Sequence, residues 1–261
     1  MVIGESRVTN MFFNMLDNDA KNNIDNYVNC VCSRDFMIFN SMEQVYSIFG
    51  DSVDKFLSSL SSDELLNLRS YTGYNYKNIN AILRGNWNYE VNGYLEQSKS
   101  IEFRMLASSV NATLDKFEIP NIDFTVFRGT TIDSFSSYGV SNITDLKNLE
   151  GKFLYEQGFT STSILKESSY ANKKLDDGRF CNVEIRYLIP SESNDGALLT
   201  NSNVSYATNQ NEFLLNSGSL IKIIDVKVDE NTNSAVLTAI LIPKKIYDLE
   251  HNRSQKSSKN V

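Results

Sequence analysis

Near Pro120 the apolar residues change spacing, from the three-to-four of a helix to the two of a strand, and this most constrains the fold. Upstream, Met42, Val45, Phe49, Val53, Phe56 and Leu60 trace a helical stripe wide enough for a buried face. Ser61-Ser62-Asp63-Glu64 fits a capping box, with Ser61 as N-cap and Glu64 three residues on, predicting a helix through Leu65, Leu66 and Leu68. Tyr71-Thr72-Gly73 is expected to break it; a third helix should start near Tyr76 and a fourth run from about Ser100 to Phe117. Downstream, Phe124, Val126 and Arg128 share one face of a short strand, and Val183, Ile185, Tyr187 and Ile189 alternate with other residues up to Pro190. Residues 213–215, 220–228 and 235–243 complete a strand-rich second half. Helices ahead of strands predict an α+β domain, not a parallel doubly wound sheet. With no G-x-G-x-x-G opening a helix after a strand, a dinucleotide would not bind in Rossmann fashion.

Composition narrows the function. At 261 residues with 41% hydrophobic side chains, the chain is long enough for one well-formed core. A net charge of −7 argues against nucleic acid as partner, since a binder of phosphate backbones needs a basic face. No apolar run approaches the length of a membrane span. Residues 1–14 lack a basic region followed by an apolar core, so no signal peptide is visible. Cys30, Cys32 and Cys181 have neither disulfide-framework nor zinc-knuckle spacing, and a reduced protein without metal is expected. The single histidine, His251, sits in a polar tail, which excludes histidine-based triads.

Three short stretches carry the chemistry: Phe127-Arg128-Gly129, then Phe159-Thr160-Ser161-Thr162-Ser163, then Gln210-Asn211-Glu212. Arg128 ends an apolar strand, an unusual place for a cation unless it meets an anion, and a guanidinium fork suits phosphate oxygens. Were the last stretch extended, Gln210 and Glu212 would project to one face. A carboxylate there could stabilise a sugar oxocarbenium ion, and a neutral amide beside it could hold an incoming acceptor without competing for that charge. Asn80 and Arg84, four apart on the third predicted helix, share a face at the rim of the core.

The order and spacing of these pieces resemble the bacterial mono-ADP-ribosyltransferase toxins of the Arg / Ser-Thr-Ser / Gln-x-Glu class, most nearly the clostridial Rho-modifying exoenzymes. Ser70-Tyr71-Thr72-Gly73 with Ile79, Asn80, Leu83 and Arg84 resembles that family's helical NAD-binding segment, and Asp177-Gly178-Arg179-Phe180 resembles its phosphate–nicotinamide loop. The resemblance covers roughly residues 41–247. It implies an ADP-ribosyltransferase domain there; outside it, residues 1–40 read as a mostly helical extension of unknown role and 248–261 as a polar tail. The implied fold is a mixed β core of two perpendicular sheets with flanking helices and an NAD cleft.

By the same resemblance, NAD is the substrate and no metal is used. Arg128, Asn80, Arg84 and Arg179 hold the phosphates, and the main chain at Gly129 holds the nicotinamide amide. Ser161 orients Glu212 towards the ribose, and Gln210 selects an asparagine acceptor. Tyr206 could anchor a protein target, although the exoenzymes carry their aromatic one residue nearer the Gln, where this chain has Ala207. The implied protein is a secreted toxin acting in the host cytosol on a Rho-family GTPase, with a separate delivery component as a further partner. Three other readings stand beside it: the same transfer to arginine on actin or another cytoskeletal protein, hydrolysis of NAD alone, and an idle domain that binds a delivery partner. The acidic charge and Ala207 both depart from the Rho-modifying pattern.

Overall fold

The computed structural model describes residues 6–85, 97–175, 178–200, 204–205 and 210–247. Six helices precede the sheet. Helices α1 (Ser6–Met15) and α2 (Asn18–Val31) come first, then α3 (Met42–Ser59) and α4 (Ser62–Ser70), and finally α5 (Tyr76–Leu83) and α6 (Gln97–Leu114). Eight strands follow: β1 (Phe124–Thr130), β2 (Phe153–Glu156), β3 (Thr160–Ser163), β4 (Val183–Ile189), β5 (Gly196–Leu198), β6 (Glu212–Leu215), β7 (Ser219–Asp229) and β8 (Ser234–Ile242). A short helix, α7 (Lys244–Tyr247), closes the described chain. No helix among the described residues is long and apolar enough to cross a membrane.

The capping box forms as read, with the Ser61 hydroxyl accepting from Glu64 N and the Glu64 carboxylate accepting from Ser61 N. The expected break at residues 71–73 does not occur. Instead Tyr71–Asn75 form a π-helical turn that joins α4 directly to α5. The wider turn keeps the chain helical through Gly73 and puts Tyr71 into the core at 3% exposure. Two 3₁₀ segments, Ile132–Tyr138 and Ile143–Leu149, were not foreseen because their apolar residues follow neither template. Strands β2 and β5, four and three residues long, were too short to show a period.

The strand order is β2-β7-β8-β4-β1-β3-β6-β5; β4 and β8 run parallel and every other described pair antiparallel. The two sheets implied by the resemblance correspond to five strands ending at β1 and three starting at β3. A single ladder pair, Phe127 opposite Ser163, makes them one continuous order. Helix α3 packs on the strands flanking this seam: Phe49 meets Phe124 edge-on at 5.2 Å, and Phe124 meets Phe213 at 5.3 Å.

A second, smaller core holds α1 and α2 against the sheet. Ile24, Val28 and Val31 of α2 cover Leu220, Ile240 and Ile242, while Phe12 of α1 stacks on Tyr155 at 4.2 Å. The other face of β8, carrying Leu237, Ala239 and Leu241, lies in the main core. From Ala239 to Ile242 strand β8 is thus buried on both faces, which accounts for the apolar run at its end.

Candidate functional site

Arg128 sits on a face that is otherwise core. In the antiparallel β1–β4 ladder Phe124, Val126 and Arg128 pair with Ile189, Tyr187 and Ile185, so all six side chains share that face. Apart from Arg128 these residues are at most 2% exposed. The guanidinium reaches across the seam, Nη1 donating to the Ser161 carbonyl at 2.7 Å. It thereby ties together two strands that share only one ladder pair, and it sets a positive charge beside β3.

The carboxylate that receives this charge is Glu212, the first residue of β6 and 6% exposed. In the β3–β6 ladder Glu212 lies opposite Ser163 and Leu214 opposite Ser161, so Ser161 reaches the carboxylate diagonally on the same face. Burial pushes the Glu212 carboxyl above its ordinary range, while the Ser161 hydroxyl bond and the Arg128 charge pull it back. The first and third motifs thus meet in one place.

The helical side is a closed network. Arg84 caps α5 and its Nε donates to Glu156 Oε1 at 2.8 Å, with side-chain exposures of 10% and 4%. The same Glu156 oxygen accepts from Gly158 N at 2.7 Å. Asn80 is buried rather than at the rim: its Oδ1 accepts from Phe159 N at 2.8 Å and its Nδ2 donates to the Tyr71 hydroxyl at 3.3 Å. Gly158 makes the close approach possible, because a Cβ there would lie 2.8 Å from Asn80 Oδ1 and 2.9 Å from Arg84 Nη2. Tyr71 packs on Phe159 at 4.7 Å and feels the charges of Glu212, Arg84 and Arg128; burial raises its phenol strongly, with Glu212 adding to the rise. Helix α5, the strand end at Glu156 and the seam residues therefore form one electrostatic cluster.

The acceptor side differs from the sequence expectation. Gln210 and Glu212 do not lie on one extended segment, because Asn211 between them is left-handed at φ 47°, a conformation asparagine tolerates. Gln210 is half-buried and precedes β6; the Ser163 hydroxyl donates to its carbonyl at 2.7 Å. Gly129 points to the face opposite Arg128, where a Cβ would overlap the Tyr170–Ala171 peptide. Arg179 is exposed, beside Phe180, which bridges to Lys174. Tyr206 and Asp177 lie outside the described residues. A hollow of about 460 Å³, lined by Lys166, Glu167, Ala171 and Glu184 among others, holds none of the sequence-predicted site residues.

Sequence reasoning missed Glu156 and Tyr170. Glu156 had a faint signal, since Leu154 and Glu156 alternate inwards on β2 just before a glycine. Tyr170 had none.

The molecule's likenesses agree with this fold. Among curated proteins no sequence matches this one. Among solved structures, C3stau2 from S. aureus with NAD is similar at a TM-score of 0.64 and 18% identity, covering 81% of this chain and 100% of that one. The Clostridium limosum C3 exoenzyme follows at 0.62 and 19%, covering 80% and 98%. BECa, an ADP-ribosylating toxin of a C. perfringens binary enterotoxin solved with NADH, is similar at 0.61 and 21%, covering 79% of this chain and 50% of its own. The family model for ADP-ribosyltransferase exoenzymes matches residues 48–244, which span both the helical network and the seam; the chain belongs to that family.

Proposed function

We propose that this NAD-dependent mono-ADP-ribosyltransferase cleaves the nicotinamide–ribose bond beside Glu212 and transfers ADP-ribose to an asparagine of a Rho-family GTPase. The observation that carries the first half is a 6% exposed carboxylate held by a serine hydroxyl next to an arginine. When the C1′–N bond breaks, nicotinamide leaves as a neutral base with the electron pair, and positive charge develops on the ribose. A carboxylate fixed in a poorly solvated place stabilises that charge more than water would. The acceptor nitrogen then attacks C1′ and loses its proton, completing transfer.

Ser161 keeps Glu212 aimed at the ribose. Arg128, Arg84, Asn80 and Arg179 serve the diphosphate, and the main chain at Gly129 the nicotinamide amide. Arg84 and Asn80 act while already engaged by Glu156 and Phe159 N, which fixes their direction before substrate arrives. Tyr206 contributes an aromatic contact to the target, which this chain reaches in the host cytosol through a separate delivery component or directly after secretion.

The asparagine assignment rests on Gln210 standing where arginine-modifying relatives of the resembled class carry Glu. Incubating host-cell lysate with the protein and labelled NAD, then mapping the labelled residue, tests it. Label on an asparagine of a Rho-family GTPase is the expected result. Label on arginine of actin overturns the target, and release of nicotinamide without any label leaves NAD hydrolysis as the activity.

A further inference from the structure

We infer that Tyr170 is a positioning residue for Gln210, so that transfer to the acceptor depends on a phenol outside all three motifs. The inference rests on the transferase reading above and concerns how its acceptor side is set. Gln210 Nε2 donates to the Tyr170 hydroxyl at 3.0 Å. A half-exposed glutamine otherwise samples several rotamers, and its amide can turn end for end. Engaging the NH₂ end leaves Oε1 as the acceptor for an N–H of the incoming side chain. Water needs no such contact, so hydrolysis of NAD does not call on it.

The backbone that carries the phenol is itself fixed. The Tyr170–Ala171 peptide lies against Gly129, where no side chain fits, and Lys173 N donates to the Tyr170 carbonyl at 3.1 Å. The preceding residues grip the same corner: Asn211 Nδ2 donates to Ser168 Oγ at 2.7 Å, and from β3 the Ser163 hydroxyl holds the Gln210 carbonyl. With Asn211 in the left-handed region, the corner is tied at its backbone, at the asparagine and at the glutamine. Of the three, only the Tyr170 contact orients the Gln210 amide.

Tyr170→Phe removes the hydroxyl alone, and because Tyr170 is 43% exposed the fold should keep its Tm. Nicotinamide release and ADP-ribose incorporation are measured together, in host-cell lysate with labelled NAD. The ADP-ribose transferred per nicotinamide released should fall about 3- to 10-fold, the scale of one solvent-facing hydrogen bond. Combined with Gln210→Ala, Tyr170→Phe should lower transfer no further than Gln210→Ala alone, since both remove one coupled contact. A wild-type partition ratio in Tyr170→Phe, or losses that add in full in the double variant, overturns the inference. Wild-type protein that releases no nicotinamide instead overturns the transferase reading, and the role of Tyr170 with it.

Discussion

On one side of Glu212, Arg84, Glu156, Asn80 and the Phe159 amide are buried and bonded to one another; on the other, Gln210 and Tyr170 meet through a contact open to solvent. The helical side joins a helix C-terminus to the end of a strand and admits little movement without leaving a buried charge or amide unpaired. The Gln210 side hangs on hydroxyls and a left-handed asparagine, where a lost bond is replaced by water at modest cost. The contrast matches two tasks. Cleaving one invariant substrate wants a fixed field, whereas choosing a protein acceptor is a matter for loops, which can change without disturbing the core.

Breaking the buried side should have the largest effect. Glu156→Ala strands the Arg84 guanidinium, and unfolding in urea should show a loss of about 3–5 kcal/mol. Glu156→Gln keeps one acceptor for Arg84 and Gly158 N and should recover part of that loss. Unchanged stability in both variants would mean that the network does not hold this wall.

Next in size, Glu212→Gln should lower both nicotinamide release and transfer by about 10²-fold or more, the scale of one electrostatic stabiliser. Stability should move the other way. The folded-state pKa of Glu212 is raised, so its ionised form opposes folding above that pKa, and the penalty fades as pH falls from there to the unfolded value, below which it is gone. At neutral pH the neutral isostere removes this penalty, and Glu212→Gln should be no less stable than wild type in the same urea titration. An inactive variant that is also clearly destabilised would place Glu212 with the structural network instead.

The smallest effect sharpens the seam. Activity should require ionised Glu212 and fall on the acid side with an apparent pKa above the ordinary carboxylate range. Ser161→Ala removes a hydrogen bond that favours the charged form, so its acid limb should shift to higher pH. A limb that stays in place would show that Ser161 does not touch the titrating group.

The sequence located the helices from periodicity and caps, the switch to strands, and the Arg128, Ser161 and Glu212 trio. These follow from patterns local to the chain: a stripe on a helix, an alternation on a strand, a cation at the end of an apolar run. Strand alternation also put Ser161 and Ser163 on one face, because the period of two fixes direction once the register is set.

What lies between segments needed coordinates. That Asn80 bonds to the Phe159 amide, that Glu156 holds Arg84, and that Tyr170 reaches Gln210 all depend on residues dozens of positions apart meeting in space. The extended reading of Gln210-Asn211-Glu212 failed for the same reason. Three hydroxyl contacts from Ser163, Ser168 and Tyr170 outweigh the small cost of a left-handed asparagine, and no spacing rule records them. Local periodicity thus decided which residues face inwards and which types are available for chemistry. The single β1–β3 pair, the packing of the Tyr170–Ala171 peptide on Gly129 and the burial around Glu212 decided what those residues meet, because such contacts depend on long-range packing that the local pattern does not encode.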